Sequence, residues 1–191
     1  MIYYNTPVVL FIAADILGTF KKVTNNYTEQ IAGASTEKKM IATLKTSEGD
    51  ITIKLSSETP KTSQNFVDLV KKGSYNETVF HRVIKGFMIQ GGDIGNQAYN
   101  IPDEPFTGEY VRGTVAMANT GMPNSGGTQF FIMHGDKPVA KNYTIFGHVI
   151  SGMDVVDKIA TAPTDKTKMN ALGEYSTPVN PVKIISAEVV E

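Results

Sequence analysis

Short apolar runs, separated by glycine, proline or polar residues, are the feature that most constrains the fold of this chain. They lie at residues 40–45, 51–55, 79–84, 87–90, 114–118, 129–133, 145–150 and 182–190. Runs this short have the length of β-strands, and the β-branched and aromatic residues in them favour strands over helices. Many short strands with few helices predict a mainly β fold, a closed antiparallel barrel with helices at its ends.

Two segments carry helix signals. Thr59 can cap a helix that begins at Pro60, because a proline ring suits the first helical position, and Gly73 is placed to end that helix. The apolar residues between them fall on one face at helical spacing. A second helix is predicted to begin at Ser151 and to continue through Ile159.

The first 36 residues differ from the rest of the chain. Residues 7–20 are apolar apart from Asp15 and a few small residues, and a polar stretch follows them. The apolar part is shorter than the roughly 20 residues that span a bilayer, and no Lys or Arg precedes it as in a signal peptide. We interpret residues 1–36 as an N-terminal extension and 37–191 as one domain. The extension is expected to form a helix on the domain or a partner, with a membrane anchor as the alternative.

Composition excludes several kinds of chemistry. The 191 residues contain no cysteine, which removes disulfides, thiolate nucleophiles and cysteine-ligated zinc. The formal net charge of -1 provides no general attraction to nucleic acid. Motifs of phosphate-binding loops, dinucleotide-binding folds and nucleophile elbows do not occur. Because His81, His134 and His148 are scattered along the chain, we expect no metal and no cofactor.

Polar residues interrupt three of the apolar runs. Arg82 lies in a run otherwise suited to burial, Gln90 follows Phe87 and Met88, and Gln129 precedes two phenylalanines. Strand alternation could turn each of these polar side chains to solvent. Three such residues beside aromatic or methionine-rich runs favour a groove with a polar edge and an apolar floor.

Three blocks of sequence together resemble the cyclophilins. They are FHRVIKGFMIQGGD at 80–93, the stretch from MANTG to GTQFFI at 117–132, and FGHV followed by GMDVV within 146–156. Their order and spacing agree with that family across residues 40–191. The resemblance implies a closed eight-stranded antiparallel barrel capped by two helices. It also implies peptidyl-prolyl cis–trans isomerase activity, which accelerates rotation about X–Pro bonds and assists protein folding.

The resemblance assigns roles to ten residues. Arg82 matches the catalytic arginine and Gln90 the glutamine that helps to hold the substrate. The other eight match the walls of the groove and the residues that meet the substrate backbone: Phe87, Met88, Ala118, Asn119, Gln129, Phe131, Val139 and Tyr143.

Two departures from the family pattern bear on function. Tyr143 stands where eukaryotic members usually have histidine, a feature shared with bacterial-type members, and its aromatic wall should preserve activity. The tryptophan that favours cyclosporin binding has no counterpart, since the chain has no Trp and Pro138 or Val139 falls in that neighbourhood. We therefore expect weak or no binding of cyclosporin.

The expected partners are proline-containing peptides and unfolded proteins, with no nucleic acid. We expect a monomer in the cytoplasm, with membrane association or export through the apolar N-terminal segment as the alternative address. A contact of the extension with a partner or a membrane is the expected role of residues 1–36. The alternative function is a non-catalytic module on the same fold, which holds proline-containing segments without turnover.

Overall fold

The structure is a computed structural model that describes residues 40–95 and 99–190. This part of the chain contains eight strands and two helices. The strands are β1 (Ile41–Thr46), β2 (Gly49–Leu55), β3 (Arg82–Ile84), β4 (Met88–Gly91), β5 (Thr114–Met117), β6 (Phe130–Met133), β7 (Ile145–Ser151) and β8 (Ile184–Val190). The helices are α1 (Pro60–Lys71) and α2 (Met153–Ala160). The extension proposed for residues 1–36 lies outside the described residues.

All eight strands belong to one antiparallel sheet, in the order β3-β4-β6-β5-β7-β2-β1-β8. The hairpin of β1 and β2 turns at Gly49, whose positive φ of 127° suits a residue without a side chain. The last strand pairs with the first in a register that places Val190 opposite Ile41. The mainly β, antiparallel architecture predicted from the sequence is confirmed.

The predicted closure of the barrel is wrong, because β3 and β8 stand at the two ends of the sheet and do not pair with each other. Residues 77–80, which precede β3, span part of the gap through a bridge between Val79 and Lys183 and through backbone hydrogen bonds to residues 182 and 184. The outer edge of β3 is already occupied, since the Val83 amide donates to the carbonyl of Ser176 at 2.8 Å. A loop, rather than a strand, therefore covers the edge of the sheet beside the candidate site.

Helix α1 begins at Pro60, as the sequence predicts, but Thr59 does not cap it. The Thr59 hydroxyl donates to the carbonyl of Ile145 at 3.0 Å. The carboxylate of Glu104 accepts the free backbone N–H groups of Lys61 and Thr62 instead, at 3.1 and 2.7 Å. A carboxylate at a helix N-terminus satisfies orphan donors and opposes the positive end of the helix dipole.

Helix α2 begins at Met153, two residues after the predicted start, because Ser151 still belongs to β7. Gly152 makes the turn between them with a φ of 91°. Neither helix of the described residues is long and apolar enough to cross a membrane.

The main core is formed by buried residues of the sheet and of both helices. Five aromatic rings form its centre: Phe66, Tyr75, Phe80, Phe130 and Phe146. A second, smaller cluster is built around Met88, Tyr110, Ala116, Phe131 and Met133. Each fully buried aromatic or aliphatic side chain contributes about 1.5–3 kcal/mol to stability. Two members of the second cluster, Met88 and Phe131, also line a groove on the surface.

Candidate active site

Three neighbouring strands bring the polar and apolar residues of the site together. Arg82 on β3 is the cross-strand partner of Gln90 on β4, and Gln90 is the partner of Phe131 on β6. Directly paired residues of antiparallel strands point to the same face of a sheet. The register therefore aligns an arginine, a glutamine and a phenylalanine in one row across the sheet.

A groove with a volume of about 290 Å³ opens over this row. Its lining contains nine of the ten residues that the sequence singles out, together with Leu172: Arg82, Phe87, Met88, Gln90, Ala118, Asn119, Phe131, Val139, Tyr143 and Leu172. Gln129 is the exception. Its side-chain Oε1 accepts a hydrogen bond from Gln90 Nε2 at 2.9 Å, so it supports Gln90 from outside the lining.

The floor of the groove is apolar and rigidly packed. Phe131 meets the edge of Tyr143 at a centroid distance of 5.5 Å and an interplanar angle of 85°. Met88 beside it is buried, and Phe87 is half-buried. Edge-to-face aromatic packing of this kind adds about 0.5–1.5 kcal/mol beyond the burial of area. A floor held in this way can receive a small apolar ring without rearranging.

The far wall of the groove is fixed by hydrogen bonds to its backbone. The Tyr110 hydroxyl donates to the carbonyl of Tyr143 at 2.7 Å and accepts from the Tyr143 amide at 3.1 Å. Asn119 Nδ2 donates to the carbonyl of Asn142 at 2.7 Å. These contacts hold the segment that contains Tyr143 against the strands, although the segment itself has no regular secondary structure.

Arg82 is held on two sides. Its Nη1 donates to Gln90 Oε1 at 3.2 Å, and its Nε and Nη2 donate to the two carboxylate oxygens of Glu174, each at 2.9 Å. The hydrogen bonds from Arg82 lower the pKa of Glu174, which keeps that carboxylate ionised. Glu174 and Leu172 were missed at the sequence level. They belong to an aperiodic loop for which no function could be argued from the sequence.

His81, next to Arg82, adds no competing charge. Burial lowers the pKa of His81, so its imidazole is neutral at neutral pH. Its Nδ1 is buried and has no hydrogen-bond partner among the described residues. His81 is also absent from the lining of the groove.

The groove thus combines a fixed cation with an apolar floor. Within residues 40–95 and 99–190, no cluster of three His, Asp or Glu residues is arranged to hold a metal ion. The chemical capacity of this arrangement is to bind an apolar ring and to direct arginine N–H groups at an electron pair next to it.

Comparisons with known proteins identify the family of this chain. The family described as "Cyclophilin type peptidyl-prolyl cis-trans isomerase/CLD" matches residues 41–189. Peptidyl-prolyl cis-trans isomerase-like 3 of Homo sapiens is 42% identical over 147 residues, which cover 71% of this chain and 91% of the human protein. A peptidyl-prolyl cis-trans isomerase of Acinetobacter baylyi is also 42% identical, over 160 residues that cover 76% of this chain and 83% of the Acinetobacter protein.

Solved structures give the same result. The cyclophilin type peptidyl-prolyl cis-trans isomerase of Cryptosporidium parvum superposes with a TM-score of 0.71 at 31% identity, over 80% of this chain and 98% of its own. A second crystal structure of that protein, obtained in the presence of the dipeptide Ala-Pro, gives a TM-score of 0.70 at 30% identity, over 79% and 99% of the two chains.

The fold and these relatives define an isomerase, which accelerates rotation about a peptide bond without making or breaking a covalent bond. This chain belongs to the cyclophilin-type peptidyl-prolyl cis–trans isomerase family. Its relatives at 42% identity include an animal and a bacterial protein, so identity alone does not place it with the bacterial-type members.

Proposed function

We propose that Arg82 is the catalytic residue of this isomerase and that the apolar floor beside it holds the proline ring of the substrate. The X–Pro bond resists rotation because of its partial double-bond character, which sets a barrier of about 18–20 kcal/mol. In the twisted state the proline nitrogen loses its resonance and gains a localised electron pair. A donor that meets this pair stabilises the twisted state more than the planar one, and only such a difference accelerates the reaction.

Arg82 meets the physical requirements for that donor. An arginine guanidinium is a permanent cation that presents its N–H groups in a rigid plane. The Arg82 side chain retains 18% exposure at the edge of the groove, and its Cζ lies 6.0 Å from the centroid of the Phe87 ring. Low polarity around the bound proline strengthens an electrostatic contact made there. The position of Arg82 beside the apolar floor is the observation that carries the proposal.

The remaining nine residues are proposed to bind and orient the peptide. Phe87, Met88, Phe131 and Tyr143 surround the proline ring, with Val139 at the rim. Ala118 and Asn119 meet the substrate backbone, and Gln129 supports Gln90. The half-buried Gln90 amide, fixed between Arg82 and Gln129, is placed to hold the carbonyl that precedes the proline.

The test is the rate of cis-to-trans exchange in a short X–Pro peptide, followed by NMR exchange spectroscopy. Replacement Arg82→Ala should leave the fold intact and lower the rate by roughly two orders of magnitude, comparable to losing one preorganised donor. A folded Arg82→Ala protein that keeps its activity would refute the proposed role. No acceleration by the wild-type protein would favour the non-catalytic module, which no observation on the described residues supports.

For inhibitors, we propose weak or no binding of cyclosporin. The chain contains no Trp, and Val139 lines the groove near the position where the family has the tryptophan that favours cyclosporin. Titration calorimetry should give a dissociation constant above the micromolar range, and a submicromolar value would overturn the proposal.

We further propose that the protein is a cytoplasmic monomer that acts on proline-containing segments of unfolded proteins and binds no nucleic acid. The alternative for residues 1–36 is a contact with a partner or a membrane. Sedimentation and vesicle partitioning, compared with and without residues 1–36, would separate these possibilities. A full chain that sediments with the mass of one protomer and does not partition into vesicles supports the cytoplasmic monomer.

A further inference from the structure

The loop at residues 161–178 contributes Leu172 to the lining of the groove and carries the carboxylate that meets Arg82. An arginine side chain has five N–H donors in a planar fork. Glu174 accepts from Nε and from Nη2, both at 2.9 Å, which is the fork-to-fork geometry of a bidentate pair. The opposite edge, Nη1, is directed at Gln90. Such a pair fixes the plane of the guanidinium as well as its distance.

Glu174 is itself held from behind. Asn170 Nδ2 donates to Glu174 Oε2 at 3.1 Å and to Ser176 Oγ at 3.0 Å. Asn170 Oδ1 accepts from the amides of Leu172 and Glu174, both at 2.9 Å. One asparagine side chain therefore organises both the carboxylate and the turn that presents it.

The same turn is anchored to the strand that carries Arg82. Ser176 is buried, and its carbonyl accepts from the amide of Val83, the residue that follows Arg82. Gly173 forms the turn with a positive φ of 77°. The backbone of Arg82 and the carboxylate that holds its side chain are thus tied to each other through a short, fixed path.

We infer that Glu174 is a positioning residue that orients Arg82 for catalysis, an inference that rests on the catalytic role proposed above for Arg82. Two effects oppose each other. The negative charge of Glu174 weakens the field of Arg82, whereas the bidentate grip removes the rotational freedom of a long side chain. Orientation dominates, because hydrogen bonds weaken steeply when donor and acceptor are misaligned. Preorganised donors also need no reorganisation at the moment of reaction.

The kinetic test compares Glu174→Ala, Glu174→Gln and Arg82→Ala by NMR exchange, with peptide affinity measured separately. Glu174→Ala should lower the exchange rate of bound peptide by about tenfold with affinity changed less than twofold, as expected when one interaction that acts only in the transition state is lost. Glu174→Gln retains one acceptor oxygen and should fall between Glu174→Ala and the wild type. Glu188→Gln is the matched control, because Glu188 pairs with Lys45 on the surface and lies outside the groove lining.

A double variant shows whether Glu174 acts through Arg82. In the Arg82→Ala background, Glu174→Ala should cause no further loss, and an additive loss would overturn the inference. If Arg82→Ala abolishes exchange while both Glu174 variants keep the wild-type rate, the inference fails and the role of Arg82 stands. If Arg82→Ala itself is fully active, the proposed function fails first.

A spectroscopic readout covers the case in which Glu174→Ala does not fold. In the wild type, the bidentate pair should slow rotation about the Nε–Cζ bond of Arg82, giving separate NMR signals for its two Nη groups. Glu174→Gln should average these signals, while Glu188→Gln should leave them resolved. Averaged signals in the wild type would contradict a fixed guanidinium.

Discussion

Strands β4, β5 and β6 carry buried apolar residues on both faces, but the two faces belong to different parts of the molecule. Ile89, Val115 and Phe130 point into the main core, and their immediate neighbours Met88, Ala116 and Phe131 form the smaller cluster under the groove. Both sets are buried, so the strands show no alternation of polar and apolar residues. The inner face contributes to the main core and so to stability, whereas the outer face forms the apolar floor of the groove.

The largest expected effect lies on the inner face. Phe130 is 0% exposed and packs against Phe66, Tyr75 and Phe80, so its replacement by alanine leaves a cavity in the aromatic centre. Phe130→Ala should lower the free energy of unfolding by about 3–5 kcal/mol. Urea denaturation measures this loss. At a temperature where the variant is folded, its isomerase activity should stay within about threefold of the wild type, because the groove keeps its lining.

The second-largest effect is expected on the outer face, where a substitution should lower activity more than stability. Phe131 is 6% exposed and lines the groove, where the proposed function places the proline ring of the substrate. Phe131→Ala should lower activity by about tenfold or more, because ring contacts with the substrate are lost. It should lower the free energy of unfolding by less than Phe130→Ala does. The same two assays apply. A Phe131→Ala protein that is fully active, or less stable than Phe130→Ala, would break the division between the faces.

The smallest effect concerns the wall of the groove. Tyr110→Phe removes the hydroxyl that both donates to and accepts from the Tyr143 backbone. It should lower the free energy of unfolding by about 1 kcal/mol and weaken peptide binding a few-fold. Tyr143→Phe is the matched control, since the described residues provide no hydrogen-bond partner for the Tyr143 hydroxyl. Equal losses of stability in the two variants, measured by urea denaturation, would argue against the backbone clamp.

Much of the fold follows from local sequence signals. Pro60 at the start of α1, the hairpin of β1 and β2, and the strand-length apolar runs each depend on residues close together in the chain. Most of the groove could be identified because all of its lining residues except Val139, Tyr143 and Leu172 lie in long sequence blocks that resemble one family. In both cases a pattern of several neighbouring residues carried the information.

The parts that escaped prediction depend on single residues far apart in the chain. Glu104 caps α1 from 43 residues beyond Lys61, and Glu174 meets Arg82 across 92 residues. A single carboxylate in a loop belongs to no motif and no periodic pattern, so the sequence alone does not indicate its partner. The open sheet has the same origin, because the length of β3 and the loop along its edge are set by tertiary contacts at Ser176.

The pairing of Ile41 with Val190 has a consequence for how this domain can be joined to other chains. The first residue of β1 and the last of β8 are direct neighbours, so the polypeptide enters and leaves the domain at one point. Domains with adjacent ends tolerate circular permutation and insertion into exposed loops of other proteins. The isomerase domain is thus a portable unit, since Ile41 and Val190 lie at the same end of the paired strands β1 and β8.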